Sequence, residues 1–148
     1  MKRVVGRLAV ALAIVSLAIA VIGCDLPFGS TARGNAALRA FRSSADTKAS
    51  RLYPIISKFP SRVGTTTDMV PMNTAQTALV KVTLETRVEK SGTNWSISFI
   101  ESWDAGRYHH AGDPYTGIIS HTWQFIVDGK GKVVLQRELG YLPPQYEP

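Results

Sequence analysis

Apolar residues in the first half of the folded region recur every three or four positions, which is the spacing of one face of an α-helix. These residues are Leu38, Phe41, Ala45, Ala49, Leu52, Ile56 and Phe59. Asn35 precedes them and suits an N-cap, because its side-chain oxygen can accept a backbone N–H of the first turn. Pro54 removes a helical hydrogen bond, so the pattern predicts a helical region from residue 35 with a bend, or two helices meeting, near residue 54.

From residue 78 onward apolar and polar residues alternate, which is typical of strands in a sheet that has one face in water. The alternation covers residues 78–88, 95–103, 119–127 and 133–139. Residues 60–77 are expected to be mostly connection, with a short edge strand or turn at 68–72. A helical region followed by these strands predicts an α+β fold, with an N-terminal helix packed on a curled antiparallel sheet of about four strands.

The four predicted strands form two hairpins. A turn at residues 91–92 joins the first pair and places Val88 opposite Trp95, so that the apolar faces of both strands agree. A short glycine-containing loop joins the second pair and places Trp123 opposite Arg137. Both hairpins therefore present one apolar face to the helix.

The beginning of the chain has a different pattern from the rest. Lys2, Arg3 and Arg7 are followed by an uncharged, mainly apolar stretch of 17 residues that ends at residue 24. A charged start and an apolar middle are typical of a secretory signal. A retained membrane-spanning helix is the alternative, although such a helix needs about 20 apolar residues to cross the hydrocarbon layer.

The end of this stretch, Val21-Ile22-Gly23-Cys24, resembles the lipobox of bacterial lipoproteins. The resemblance implies cleavage before Cys24 and a lipid on its sulfur, which would also account for the presence of a single cysteine in the chain. It predicts a signal peptide over residues 1–23, a lipidated cysteine with a flexible tether over 24–34, and one α+β domain over 35–148. The expected location is the extracytoplasmic face of the cell membrane, with the lipid on Cys24 as the anchor.

Charge is distributed unevenly along the chain. Removal of Lys2, Arg3 and Arg7 with the signal lowers the net charge from +6 to +3, which disfavours a nucleic-acid partner. The helical region is the most basic part, and it predicts contact between the basic helix and anionic lipid. The residues concerned are Arg39, Arg42, Arg51, Lys58 and Arg62.

The order of elements, a helix and then an antiparallel sheet, is similar to the cystatin-like and nuclear-transport-factor-like rolls. That resemblance covers residues 35–139 and involves no specific motif. It implies a module of a kind known among secreted and membrane-tethered proteins and also among some enzymes.

Three polar residues fall on positions that the alternation assigns to the inner face of the sheet, namely Glu101, His121 and Arg137. Buried charges require partners, because burial costs several kcal/mol per ion. With Trp103 and Trp123 they define a candidate pocket, in which Glu101 or His121 would act as a general base and Arg137 would hold an anion. The alternative is a structural ion pair with a histidine nearby, at strand ends that already meet solvent.

The loop after residue 104 contains His109, His110 and Asp113, which a bend could bring to His121 as zinc ligands. Adjacent histidines on a strand point to opposite faces, however, and the chain has no ligand-spacing motif. Neither a metal site nor a cofactor is therefore predicted.

Two functional hypotheses follow. The chain has no catalytic motif, and the predicted function is a non-enzymatic binding or interaction module of the cell envelope, with an envelope protein or a small ligand as its partner. The alternative is a small-ligand-binding protein, or an isomerase-type or hydrolase-type enzyme, that uses the inner-face cluster. A deep pocket lined by Trp103 and Trp123 would favour the alternative, and a core filled by their rings would favour the module.

Overall fold

The computed structural model describes residues 27–71, 79–108 and 115–146. Its helices are α1 (Pro27–Ser43), α2 (Ala45–Ala49) and α3 (Tyr53–Ile56), and a short 3₁₀ helix, Pro144–Tyr146, lies near the C-terminus. Its strands are β1 (Gly64–Pro71), β2 (Leu79–Ser91), β3 (Asn94–Asp104), β4 (Ile118–Val127) and β5 (Val133–Gly140). The strands pair antiparallel in chain order, so the sheet is open and has β1 and β5 at its edges. The predicted α+β class is confirmed.

The helical region begins earlier than expected. α1 starts at Pro27, so residues 27–34, predicted as part of a flexible tether, are helical. Packing accounts for the difference, because a Cβ atom at Gly34 would lie 3.3 Å from the Cγ1 atom of Val88, and glycine allows the helix to approach the sheet this closely. Asn35 is not an N-cap: its side-chain oxygen accepts the backbone N–H of Val63 at 2.9 Å.

The predicted break near Pro54 is confirmed. Pro54 lies in the first turn of the separate helix α3, where its missing N–H is tolerated. Ser44 caps α2, and its hydroxyl oxygen accepts the backbone N–H of Thr47 at 3.2 Å. No helix in the part of the chain that the structure describes is both long and apolar enough to cross a bilayer.

Aromatic rings fill the space between the helices and the inner face of the sheet. Phe41 of α1 packs against Phe125 with ring centroids 4.9 Å apart, and Phe59 packs against Phe99 at 5.4 Å and against Trp123 at 5.9 Å. All five rings are at most 3% exposed. This aromatic layer holds the helical region on the sheet.

The register of the first hairpin differs from the prediction by two residues. Val88 pairs with Ile97, and Lys90, not Val88, pairs with Trp95. The turn consists of Gly92 and Thr93, and Gly92 has φ +60°, a conformation that glycine adopts readily. Because side chains alternate with a period of two, this shift leaves the apolar faces of β2 and β3 on the same side.

The second hairpin differs by one residue, and here the consequence is larger. An irregularity between Ile126 and Val127 shifts the pairing, so that Trp123 lies opposite Glu138. A shift of one residue moves a strand's side chains to the other face. Arg137 therefore lies opposite Gln124 on the outer face and is exposed, and its predicted inner-face position is wrong.

The sheet has five strands instead of about four, because β1 extends over eight residues where only a short edge strand or turn was expected. Val70 is the only buried residue of β1. An edge strand with one buried side chain produces almost no alternation in the sequence, so the pattern could not reveal its length.

Candidate functional site

Four of the five predicted pocket residues lie together on the inner face of the sheet. Glu101 and Trp103 come from β3, and His121 and Trp123 come from β4, at alternate positions that point toward the helices. Glu101 and His121 are directly opposite each other in the strand pair. The four side chains are 1%, 2%, 4% and 0% exposed, respectively.

The carboxylate of Glu101 receives one hydrogen bond from a residue far along the chain. The side-chain amide of Gln145 donates to Glu101 Oε1 at 2.7 Å. Oε2 is buried and has no hydrogen-bond partner among the described residues. Burial raises the pKa of Glu101, and the hydrogen bond from Gln145, the charge of Lys58 and the nearby Tyr146 hydroxyl oppose that rise.

Gln145 is the central polar residue of this cluster. Besides donating to Glu101, its side-chain oxygen accepts a hydrogen bond from the Tyr108 hydroxyl, and its backbone N–H donates to that hydroxyl oxygen at 2.9 Å. Burial raises the pKa of Tyr108 to about 12, so Tyr108 is a protonated donor at neutral pH. The three residues form a continuous hydrogen-bonded chain from β3 through the 3₁₀ helix to the loop after β3.

The C-terminal segment, residues 142–146, covers this end of the inner face. Pro143 is fully buried, and the ring of Tyr146 meets the ring of Trp123 edge-on at 5.5 Å. The ammonium group of Lys58 lies 5.3 Å from the centre of the Tyr146 ring, within the range of a cation–π contact. The segment thus occupies the space in which a pocket lined by Trp123 was expected.

His121 is neutral at neutral pH. Burial lowers its pKa, and the nearby charge of Glu138 only partly opposes that effect. The Nε2 atom lies 3.5 Å from Glu138 Oε2, yet neither ring nitrogen has a hydrogen bond of good geometry within the described residues. The imidazole lies against Trp123, with ring centroids 4.4 Å apart.

The two tryptophans belong to the core. Trp103 packs edge-on against Tyr108 at 6.4 Å, and its indole N–H has no partner among the described residues. Trp123 contacts Phe59, His121 and Tyr146. A general base has to come within hydrogen-bond reach of its substrate. Glu101 has no solvent access in this arrangement, and Gln145 occupies its Oε1 atom.

The basic residues of the helical region do not form one surface. Arg42 is half-buried, and its guanidinium donates to the carbonyl oxygens of Phe59 and Pro60 at 3.1 and 3.0 Å. Lys58 lies beside Tyr146 at the Glu101 end of the domain, whereas Arg39, Arg51 and Arg62 are exposed elsewhere. The expected contact of the basic helix with lipid stays a prediction.

Within residues 27–71, 79–108 and 115–146, no three histidine, cysteine, aspartate or glutamate side chains come together as a metal site would require. His109, His110 and Asp113, considered above as zinc ligands, lie outside the described residues, and so does Cys24. Lipidation of Cys24 therefore stays a prediction, and so does the expected absence of a zinc site at the other three residues.

Sequence reasoning missed the role of Gln145. Its only local signal is the composition of residues 141–148, which are too rich in proline to continue the sheet. Nothing in that composition indicates which inner-face residue the segment contacts.

Comparison with protein families, curated proteins and solved structures finds no match to this chain.

Proposed function

We propose that the protein is a lipoprotein held on the extracytoplasmic face of the cell membrane by a lipid on Cys24. We further propose that its domain is a non-enzymatic binding or interaction module of the cell envelope. The charged start, the apolar stretch and the Val21-Ile22-Gly23-Cys24 motif support the anchor. A curled, roll-like form of the sheet belongs to the same proposal.

Burial of the candidate pocket is the main observation that favours a non-enzymatic module over an enzyme. Its four inner-face side chains are at most 4% exposed, and their aromatic rings pack into the core. Binding sites for small molecules are usually open clefts with a few polar groups facing the ligand. A closed cluster of this kind supports a structural role, with partner contacts made by the outer surface.

Replacement of the cysteine tests the anchor. The wild-type protein should incorporate a labelled fatty acid and float with membranes in a density gradient. Cys24→Ser should carry no label, and it should either be released from the membrane or keep its signal uncut. A Cys24→Ser protein that is processed and anchored like the wild type would overturn the lipoprotein proposal.

A second candidate, a small-ligand site in the same cluster, has one observation in its favour. Glu101 Oε2, the Trp103 indole N–H and both His121 nitrogens are buried without hydrogen-bond partners among the described residues. Leaving such a group unsatisfied costs about 1–3 kcal/mol. A ligand that displaced Gln145 would meet Glu101 and the Tyr108 hydroxyl.

A thermal-shift screen of small molecules on the wild type and on Glu101→Gln separates the two candidates. A compound that raises the melting temperature of the wild type but not of the variant supports the ligand site. A variant whose stability changes while no compound discriminates between the two proteins supports the module.

A further inference from the structure

Exposed basic side chains collect at one end of the sheet, the end where β2 turns into β3 and β4 into β5. The pairings Ser91 with Asn94 and Val127 with Val133 place both connections at this end. We call it the turn end. Lys90, Lys130 and Lys132 are exposed there, Arg33 of α1 lies beside Lys90, and the exposed Arg62 directly precedes Val63, which lines the same cavity as Lys90.

A groove of about 350 Å³ opens at the turn end, between α1 and the β2–β3 hairpin. Its apolar lining is made by Val63, Val88 and Trp95, and Arg33 and Lys90 supply positive charge. Val63 is 38% exposed, and the ammonium group of Lys90 lies 4.5 Å from the centre of the Trp95 ring. Apolar side chains next to positively charged ones can bind an amphiphilic molecule that has an anionic head group.

The acidic residues at the turn end are fewer and partly engaged. Glu89 lines the groove, and Asp128 lies in the β4–β5 loop. The Oδ1 atom of Asp128 accepts the backbone N–H groups of Lys130 and Lys132 at 2.8 and 3.0 Å, which directs the carboxylate toward the loop backbone. Among the described residues, the basic side chains at the turn end therefore outnumber the acidic ones, and the lysine side chains of the loop are exposed.

The N-terminus of the described chain leads to the same end. α1 passes the groove at Gly34, next to Val88 and Trp95, and Pro27 begins the helix seven residues earlier. Seven helical residues span about 10 Å. Cys24 precedes Pro27 by three residues, which reach about 10 Å when extended. The proposed anchor is thus within about 20 Å of the groove, and this step rests on the proposed function.

We propose that the turn end is the membrane-docking surface of the protein. An anionic phospholipid of the anchoring membrane places its phosphate at Lys90 and its upper acyl chain against Val63 and Trp95. Lys130 and Lys132 add attraction to neighbouring headgroups, within the Debye length of about 8–10 Å. Tryptophan is enriched at this depth of a bilayer, where its ring meets both apolar and polar surroundings.

Fluorescence quenching of the full chain, reconstituted into vesicles of brominated phosphatidylcholine with or without phosphatidylglycerol, tests the docking. Trp103 and Trp123 are at most 2% exposed, whereas Trp95 is half-buried, so quenching by brominated lipid reports on Trp95. Quenching is expected with phosphatidylglycerol and should disappear without it or in high salt. Trp95→Phe should abolish the quenched signal, which confirms its source.

The double variant Lys130→Gln/Lys132→Gln gives the matched comparison. Each basic group near an anionic surface contributes about a fivefold factor, so the ratio of docked to undocked protein should fall about 25-fold. Lys81→Gln/Arg107→Gln removes the same charge from exposed positions at the opposite end of the sheet, beside Asp104 and Ile118, and it should quench like the wild type.

Flotation of the same samples distinguishes the two ways to fail. In the first, the protein floats with the vesicles, but its quenching is the same with and without phosphatidylglycerol, or the same in both double variants. That result overturns the docking and leaves the anchor intact. Protein that does not float contradicts the anchor itself, and the docking falls with it.

Discussion

Glu101→Gln replaces the buried carboxylate of β3 with a neutral amide of nearly the same shape. Gln145 can still donate to the side-chain oxygen at residue 101, because an amide oxygen accepts a hydrogen bond as a carboxylate does. What changes is the charge. In the wild type, the folded chain has to bury a carboxylate whose Oε2 atom has no partner among the described residues.

The effect depends on pH, and its sign follows from the raised pKa of Glu101. At a pH below the ordinary value of 4.5 the carboxyl group is protonated in both the folded and the unfolded chain, so both proteins should have similar stability. As the pH rises, the unfolded wild-type chain ionises first, and wild-type stability falls until the pH passes the folded-state pKa. The variant does not titrate at this position, so its relative stability should rise over the same interval.

The amide nitrogen of the variant takes the place of Oε2 and is no better partnered there, so the gain comes from removal of the charge alone. Leaving a charged group buried costs at least as much as leaving a neutral one unsatisfied, and we expect a gain of about 1–3 kcal/mol for Glu101→Gln at high pH. For a domain of this size, 1 kcal/mol corresponds to about 4 °C in melting temperature. The melting temperature of the variant should therefore exceed that of the wild type by about 4–12 °C near pH 8 and by much less near pH 4.

Thermal unfolding followed by circular dichroism over a pH series measures this difference. Glu89→Gln is the control, because it removes the same charge from an exposed position on β2. Two results would refute the reasoning. The first is a difference between variant and wild type that does not change with pH, and the second is a variant less stable than the wild type near pH 8. The second result would mean that a favourable partner stabilises the carboxylate.

Two further predictions concern the packing of the chain. Gln145→Leu removes the hydrogen bond to the Glu101 carboxylate and the one from Tyr108, so urea denaturation should show a loss of about 2 kcal/mol or more in the free energy of unfolding. Gln136→Leu at an exposed position is the control and should change that free energy by less than about 0.5 kcal/mol. Equal losses in the two variants would contradict the role given to Gln145. Gly131→Ala should destabilise the protein by about 2 kcal/mol more than Gly92→Ala. Both glycines have positive φ, but a Cβ atom at residue 131 would lie 2.6 Å from the backbone of α1, whereas a Cβ atom at residue 92 would meet open space. Similar unfolding free energies for the two variants would show that the β4–β5 loop can move away from α1.

The α+β class could be predicted because the strands that cross the middle of the sheet carry apolar residues on the inner face and mainly polar residues on the outer face. Each of β2, β3 and β4 buries a row of alternate side chains, and that burial is recorded locally in the sequence. β1 buries only Val70, so its extent left no comparable pattern. The start of α1 could not be read either, because the first turns of this helix pack at Gly34 against Val88, which belongs to another element.

Glu101 and His121 were correctly assigned to the inner face although the register of the first hairpin was wrong. An error of two residues preserves the face, whereas the irregularity at Ile126 and Val127 produces an error of one residue, which placed Arg137 on the wrong side. The sequence of the loop between β4 and β5 does not reveal such an irregularity, because apolar residues of the two strands can face each other in either register.

Side-chain periodicity thus decided which residues of β3 and β4 face the helices, because a period of two is a property of the extended backbone alone. The surroundings of those residues were decided by tertiary structure. Gln145 contacts Glu101 across 44 positions of the chain, and it does so because Pro143 and Tyr146 pack over the end of the aromatic core. A contact of that span depends on the folded arrangement of the whole sheet, and no local pattern encodes it.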